Sequence, residues 1–264
     1  MVPTATLVRL MIGAAFAFAL PVALLVWWRR TRRARLAPFF VGAAVFAVFA
    51  LGLETLAHRV FIFGDNAVSH AVNASAVLYM LYGGFAAGLF EETGRYVAFR
   101  RLLPARRYPG RDTAVTYGIG HGGIEAMLTL GVTYAGLTVL ALCLRRGDQS
   151  AALAMMGGDA GVLSAQIAAL GQLTPGTVLL AMLERGAAMI LHIALSVFVF
   201  LAARDRTRRK CFPAAVILHA VADMPAALYQ RGLLPLGIVE VWGWLVALLA
   251  LYAARKCYLE QMDP

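Results

Sequence analysis

Residues 74–98 read "ASAVLYMLYGGFAAGLFEETGRYVA". From Ala74 to Phe90 there is no charged side chain, and then Glu91, Glu92 and Arg95 arrive together. The length and apolar character suit a helix that crosses a bilayer, which needs roughly 20 apolar residues. The charges do not suit lipid. An ionisable side chain at the centre of a spanning helix costs at least ~2.5–3.5 kcal/mol, so such residues face a cavity or a partner. The stretch therefore predicts a membrane fold and marks the first functional candidates.

The rest of the chain repeats the pattern. Of 264 residues, 61% are hydrophobic and 14% charged, and the mean hydropathy is +0.74. A soluble domain carries more charge. The apolar residues come in blocks, and seven spans are expected, near 5–28, 37–57, 74–98, 113–144, 175–203, 212–229 and 233–254. The fold class is all-α: a polytopic helix bundle, read as one integral membrane domain over 1–264 with its polar core in roughly 74–229. The fourth block is longer than one span needs, so it tilts or protrudes. The N-terminus lacks a basic leader region and ends in "RRTRRAR" (29–35), which reads as a first span with a stop-transfer flank.

The net charge of +10 is gathered in short segments: 29–35, "RRLLPARRYPGR" (100–111), "RDRTRRK" (204–210) and "RK" (255–256). With seven spans all of these fall on one side. The positive-inside rule makes that side cytoplasmic, with the N-terminus outside, the C-terminus inside and the chain in a plasma membrane of bacterial type. The same clustering excludes nucleic acid as a partner and leaves the lipid bilayer. Cys143, Cys211 and Cys257 are far apart and form no zinc or redox motif. The outer segment 147–174 reads as a lid or an interfacial helix. The Trp27/Trp28 and Trp242/Trp244 pairs read as interfacial belts, and His58 and His70 as outer loop residues.

The ionisable residues within the spans are few. Span three has Glu91, Glu92 and Arg95, and span four His121 and Glu125. Span five has Glu184, Arg185 and His192, and span six His219 and Asp223. At 1.5 Å per residue, Glu91 lies about 13 Å from Arg100, His121 about 12 Å from Asp112, His219 about 10 Å from Cys211 and His192 about 18 Å from Arg204. Four helices thus bring acids and imidazoles to one level in the cytoplasmic half. Glu91 and Glu92 point about 100° apart, so they serve different ends. Both can reach Arg95, being four and three residues away. Two close carboxylates in a low dielectric do not both ionise easily, which suits a general base on water. A structural ion-pair cluster reads equally well from these residues alone. His121 stands among Gly118, Gly120, Gly122 and Gly123, which admit a close backbone, and shares a face with Glu125. His219 and Asp223 lie one turn apart, and Pro225 loosens the helix after them. Glu184 and Arg185 read as an internal brace.

The order EExxR, aromatic-xxx-His, His-xxx-Asp resembles the glutamic-type intramembrane proteases, which include the CAAX-prenyl-protease and bacteriocin-processing superfamily and the PrsW proteins. Here it runs Glu91-Glu92-Thr93-Gly94-Arg95, Tyr117 to His121, and His219 to Asp223. The added "GHGGIEA" and "HIALSV" stretches resemble the YhfC family of intramembrane peptidases most. EExxR is one residue shorter than EExxxR, Tyr117 replaces Phe, and Asp223 stands where an Asn is common. The resemblance implies hydrolysis of a membrane-associated peptide or protein. Glu91, or Glu92, with His121 would activate water, and Glu92 would hold Arg95. His219 and His192 would polarise the carbonyl, and Asp223 would orient His219. The resemblance favours a metal-free mechanism with no cofactor. The same residue types also suit a zinc site built from His121, His192 and His219 with a glutamate as base. Intramembrane acids and histidines also make proton- or ion-coupled transporters, and a non-catalytic scaffold would use them as glue.

Overall fold

The structure is a computed structural model that describes residues 2–259. It is all-helical, with no strand among the described residues. The helices are α1 (Thr4–Arg32), α2 (Ala37–Phe61), α3 (Ala67–Ala74), α4 (Ala76–Leu102), α5 (Asp112–Arg145), α6 (Gln149–Met155), α7 (Ala160–Gly171), α8 (Pro175–Arg204), α9 (Cys211–Gln230) and α10 (Leu236–Leu259). Six helices are long and apolar enough to cross a membrane, or up to eight when the bent pairs α3–α4 and α6–α7 each count as one span. The expected seven lie within that range and correspond to α1, α2, α4, α5, α8, α9 and α10. The chain is an integral membrane protein.

Local chemistry sets the helix ends. The Thr174 side chain accepts from the backbone of Thr177 with Pro175 at the first helical position, so α8 starts there. Ser75 caps α4 by accepting from Leu78 N–H, and the chain turns by 109° between α3 and α4. Arg29, Arg30 and Arg32 close the last turn of α1, where the helix dipole favours cations. Pro225 does not end α9. It removes the N–H that would bond Val221 O, and Trp242 Nε1 donates to that carbonyl instead at 2.7 Å. Trp242 thus ties α10 to α9, a role beyond the expected interfacial belt.

The long fourth block is one helix, α5, whose turns widen to π geometry at Met127–Val132. Residues 149–171 form two helices bent by 101°. Ala152 and Leu170 of this hairpin pack with Leu7, Leu10 and Leu140, so the hairpin is seated on α1 and α5. His58 lies inside α2, not in a loop.

Helix α8 is the axis of the bundle. Its most apolar window is 78% buried, against 22–28% for the other five single-helix spans. Around it α9 lies along α4, and α2 along α5. Small residues allow both approaches. A Cβ on Gly84 would stand 2.5 Å from Ala220 O, and one on Gly88 2.6 Å from Val216 O. A Cβ on Gly120 would strike the Phe39 carbonyl. With backbones this close, side chains from four helices meet at one level.

Candidate functional site

Helices α4, α5, α8 and α9 direct Glu91, Glu92, Arg95, His121, His192 and His219 into one buried cluster. Glu91 Oε2 is its centre. His121 Nε2 lies 2.8 Å from that oxygen, His192 Nδ1 3.8 Å, His219 Nε2 3.9 Å and Arg95 Nη2 3.9 Å. The rings of His121 and His192 are 5.1 Å apart, and those of His192 and His219 5.4 Å. Tyr117 stacks on His121 at 5.8 Å, and Phe46 meets it edge-on at 5.2 Å.

The surroundings set each ring's orientation. Arg95 Nη2 donates to His192 Nδ1 at 3.0 Å. A guanidinium has no acceptor, so Nδ1 is the unprotonated nitrogen and its one lone pair is engaged by Arg95, a donor that an ion bound at Nδ1 would displace. The opposite nitrogen, Nε2, pairs with Glu125. Glu125 is held in turn by Arg185 Nη1 at 2.7 Å, and Arg185 also binds Glu184. The expected Glu184–Arg185 brace therefore extends through Glu125 to His192. His219 Nδ1 meets Glu92 Oε1 at 2.7 Å, which turns Nε2 toward Glu91. Glu92 also lies 3.1 Å from Arg95 Nη1, off the hydrogen-bond line, since that nitrogen has no hydrogen-bond partner.

The two glutamates of "FEETGRY" thus separate. Glu91 faces the centre, and Glu92 holds Arg95 and His219. Asp223 sits 3.4 Å from His219 Nε2, with its side chain 42% exposed. Two carboxylates thus flank the ring, Glu92 at Nδ1 and Asp223 near Nε2. Glu125 is absent from the site set drawn from the sequence. Its position one turn after His121 was visible there, but its partner is His192 on another helix, and spacing along one chain does not reveal that.

The donor set fits a divalent metal. Glu91, His121 and His192 each offer one ligand atom, all within 4.8 Å of one another. Two imidazoles and a carboxylate, with a further imidazole beside them, are ligand types that zinc takes. Carboxylates behind His192 and His219 are the outer partners that metal-ligating histidines use.

Comparison with known proteins adds three findings. The family described as "YhfC intramembrane metalloprotease" matches residues 16–242. "Uncharacterized membrane protein YhfC" of Bacillus subtilis (strain 168) is 35% identical over 256 residues, covering 96% of each chain. No solved structure matches. The family description favours the metal-dependent alternative over the metal-free glutamic mechanism preferred from the sequence, and the Glu/His/His group agrees with that correction. The link to the CAAX-protease and PrsW proteins finds no support in these matches.

Proposed function

The chain belongs to the YhfC intramembrane metalloprotease family, and from that premise we propose that it hydrolyses a peptide bond of a membrane-associated peptide or protein. The observation that carries this reading is the convergence of three imidazole nitrogens on Glu91 Oε2, each within 4 Å. Of the Glu91, His121 and His192 group, the two imidazoles together with the adjoining His219 would hold a divalent ion, which leaves Glu91 beside it as the base. Bound there, the ion would supply Lewis-acid polarisation of the scissile carbonyl and a readily deprotonated water.

The chain's own groups do the rest. Glu91 Oε2 takes the proton as water adds to the carbonyl, and returns it to the amine as the C–N bond breaks. Glu125 keeps His192 Nδ1 turned inward, and Glu92 does the same for His219 Nε2. Arg95 balances the two glutamates in a low dielectric, where unpaired carboxylates are costly. The buried setting strengthens each of these interactions. The Lys/Arg-rich segments support a cytoplasmic level for the centre, with the N-terminus outside. The family description names an enzyme and lends no weight to a transporter.

Elemental analysis of the detergent-purified protein tests the metal. About one divalent ion per chain is expected, lost in His121→Ala and His192→Ala. Cleavage of a membrane-anchored reporter should fall at least ~10³-fold in Glu91→Gln. Cutting at the wild-type rate by Glu91→Gln would overturn the assignment.

A further inference from the structure

A cavity of about 400 Å³ opens at the end of the bundle where α2 ends and α4 begins. Its walls include Glu54 and His58 of α2, Tyr79 and Tyr82 of α4, and Asp223 and Gln230 of α9. Asp223 is the shared wall. Its carboxylate faces this cavity and also lies 3.4 Å from His219 Nε2, which is 3.9 Å from Glu91. The cavity therefore adjoins the proposed catalytic centre.

The lining has one electrostatic sign. Glu54 and Asp223 are acidic, and no Arg or Lys lines the cavity among the described residues. Glu54 lies 3.4 Å from His58 Nε2, and the other nitrogen of that ring is 2.9 Å from Tyr82 OH. Tyr79 and Tyr82 present rings whose faces attract cations. The Arg231 guanidinium already stacks on Tyr79 at 5.1 Å. Tyr79 OH donates to Gln230 at 3.1 Å and bridges α4 to α9. With Tyr79 already covered by Arg231, the two carboxylates and the Tyr82 ring are the groups left to recognise a further ammonium or guanidinium group.

We propose that this cavity is a substrate subsite for a cationic group, a Lys or Arg side chain or a terminal ammonium, placed close to the bond cut at Glu91. The proposal rests on the peptidase reading for its place beside a scissile bond. The preference for a cation can be measured without cleavage.

The test uses apolar decapeptides in which a single lysine is walked along the chain, each paired with its norleucine counterpart. Binding is measured on the detergent-purified wild type and on Glu91→Gln, which keeps peptides intact. At least one lysine position should bind about tenfold tighter than its norleucine pair. That advantage should shrink to less than about threefold in Glu54→Gln, with Asp223→Asn as the second variant. Equal binding at every position, or an advantage that survives both substitutions, would overturn the subsite. A lysine preference in a protein that never cuts and holds no metal would sink the peptidase reading and leave the cation cavity standing.

Discussion

The five histidines form two groups that the chain treats differently. His121, His192 and His219 are buried where α4, α5, α8 and α9 converge, and all three face one carboxylate oxygen. His58 and His70 lie near one end of the bundle. His70 pairs with Asp65 at 2.8 Å, with its side chain 70% exposed. His58 bonds Tyr82 from within α2. The side chains are chemically the same. What differs is the number of helices that meet at each, and hence how much water is left to satisfy the ring. In the buried group each ring has at least one nitrogen held by a neighbour from another helix, so its removal exposes an uncompensated partner. At the exposed His70 water replaces what is lost.

That contrast is sharpened most by Arg95→Leu. Arg95 is fully buried and faces Glu91, Glu92 and His192. Removing its charge leaves two carboxylates without compensation, and a loss of about 3–5 kcal/mol is expected. The thermal unfolding midpoint in detergent checks it, and an unchanged midpoint would show that the centre does not depend on its cation. Glu125→Gln comes next. It keeps the shape but weakens the hold on His192, so metal affinity should drop about 10–100-fold by chelator competition, with the fold retained. Unaltered affinity would break the claim that Glu125 orients His192. The smallest effect is expected for His70→Ala, within about 0.5 kcal/mol in stability. A large loss there would erase the difference between the two groups.

Much of the fold was legible along the chain. Blocks such as 74–98 are long enough to span and too apolar for water, and each expected span has its helix. The common depth of Glu91, His121 and His219 followed from helical rise alone. The partnerships did not follow. Glu125 stands one turn from His121 yet serves His192, because α8 packs along α5 and brings His192 against it. Glu92 joins Asp223 at His219, because the Gly84 and Gly88 approach brings α9 against α4 and sets Glu92 Oε1 at Nδ1 while Asp223 lies beside Nε2. The preference for a metal-free mechanism also came from motif order, which carries no information on whether imidazole nitrogens share a focus.

The sequence by itself determined that this protein lives in a membrane, as a bundle of about seven helices with the residues of its candidate site on four of them. It could do so because transfer to lipid depends on the composition of each segment, a local property. Only the tertiary structure decided which carboxylate faces which imidazole, and that an acidic cavity adjoins the centre. Those facts depend on crossing points between helices far apart in the chain, where glycine contacts and the burial of α8 set side-chain directions to within a hydrogen-bond length.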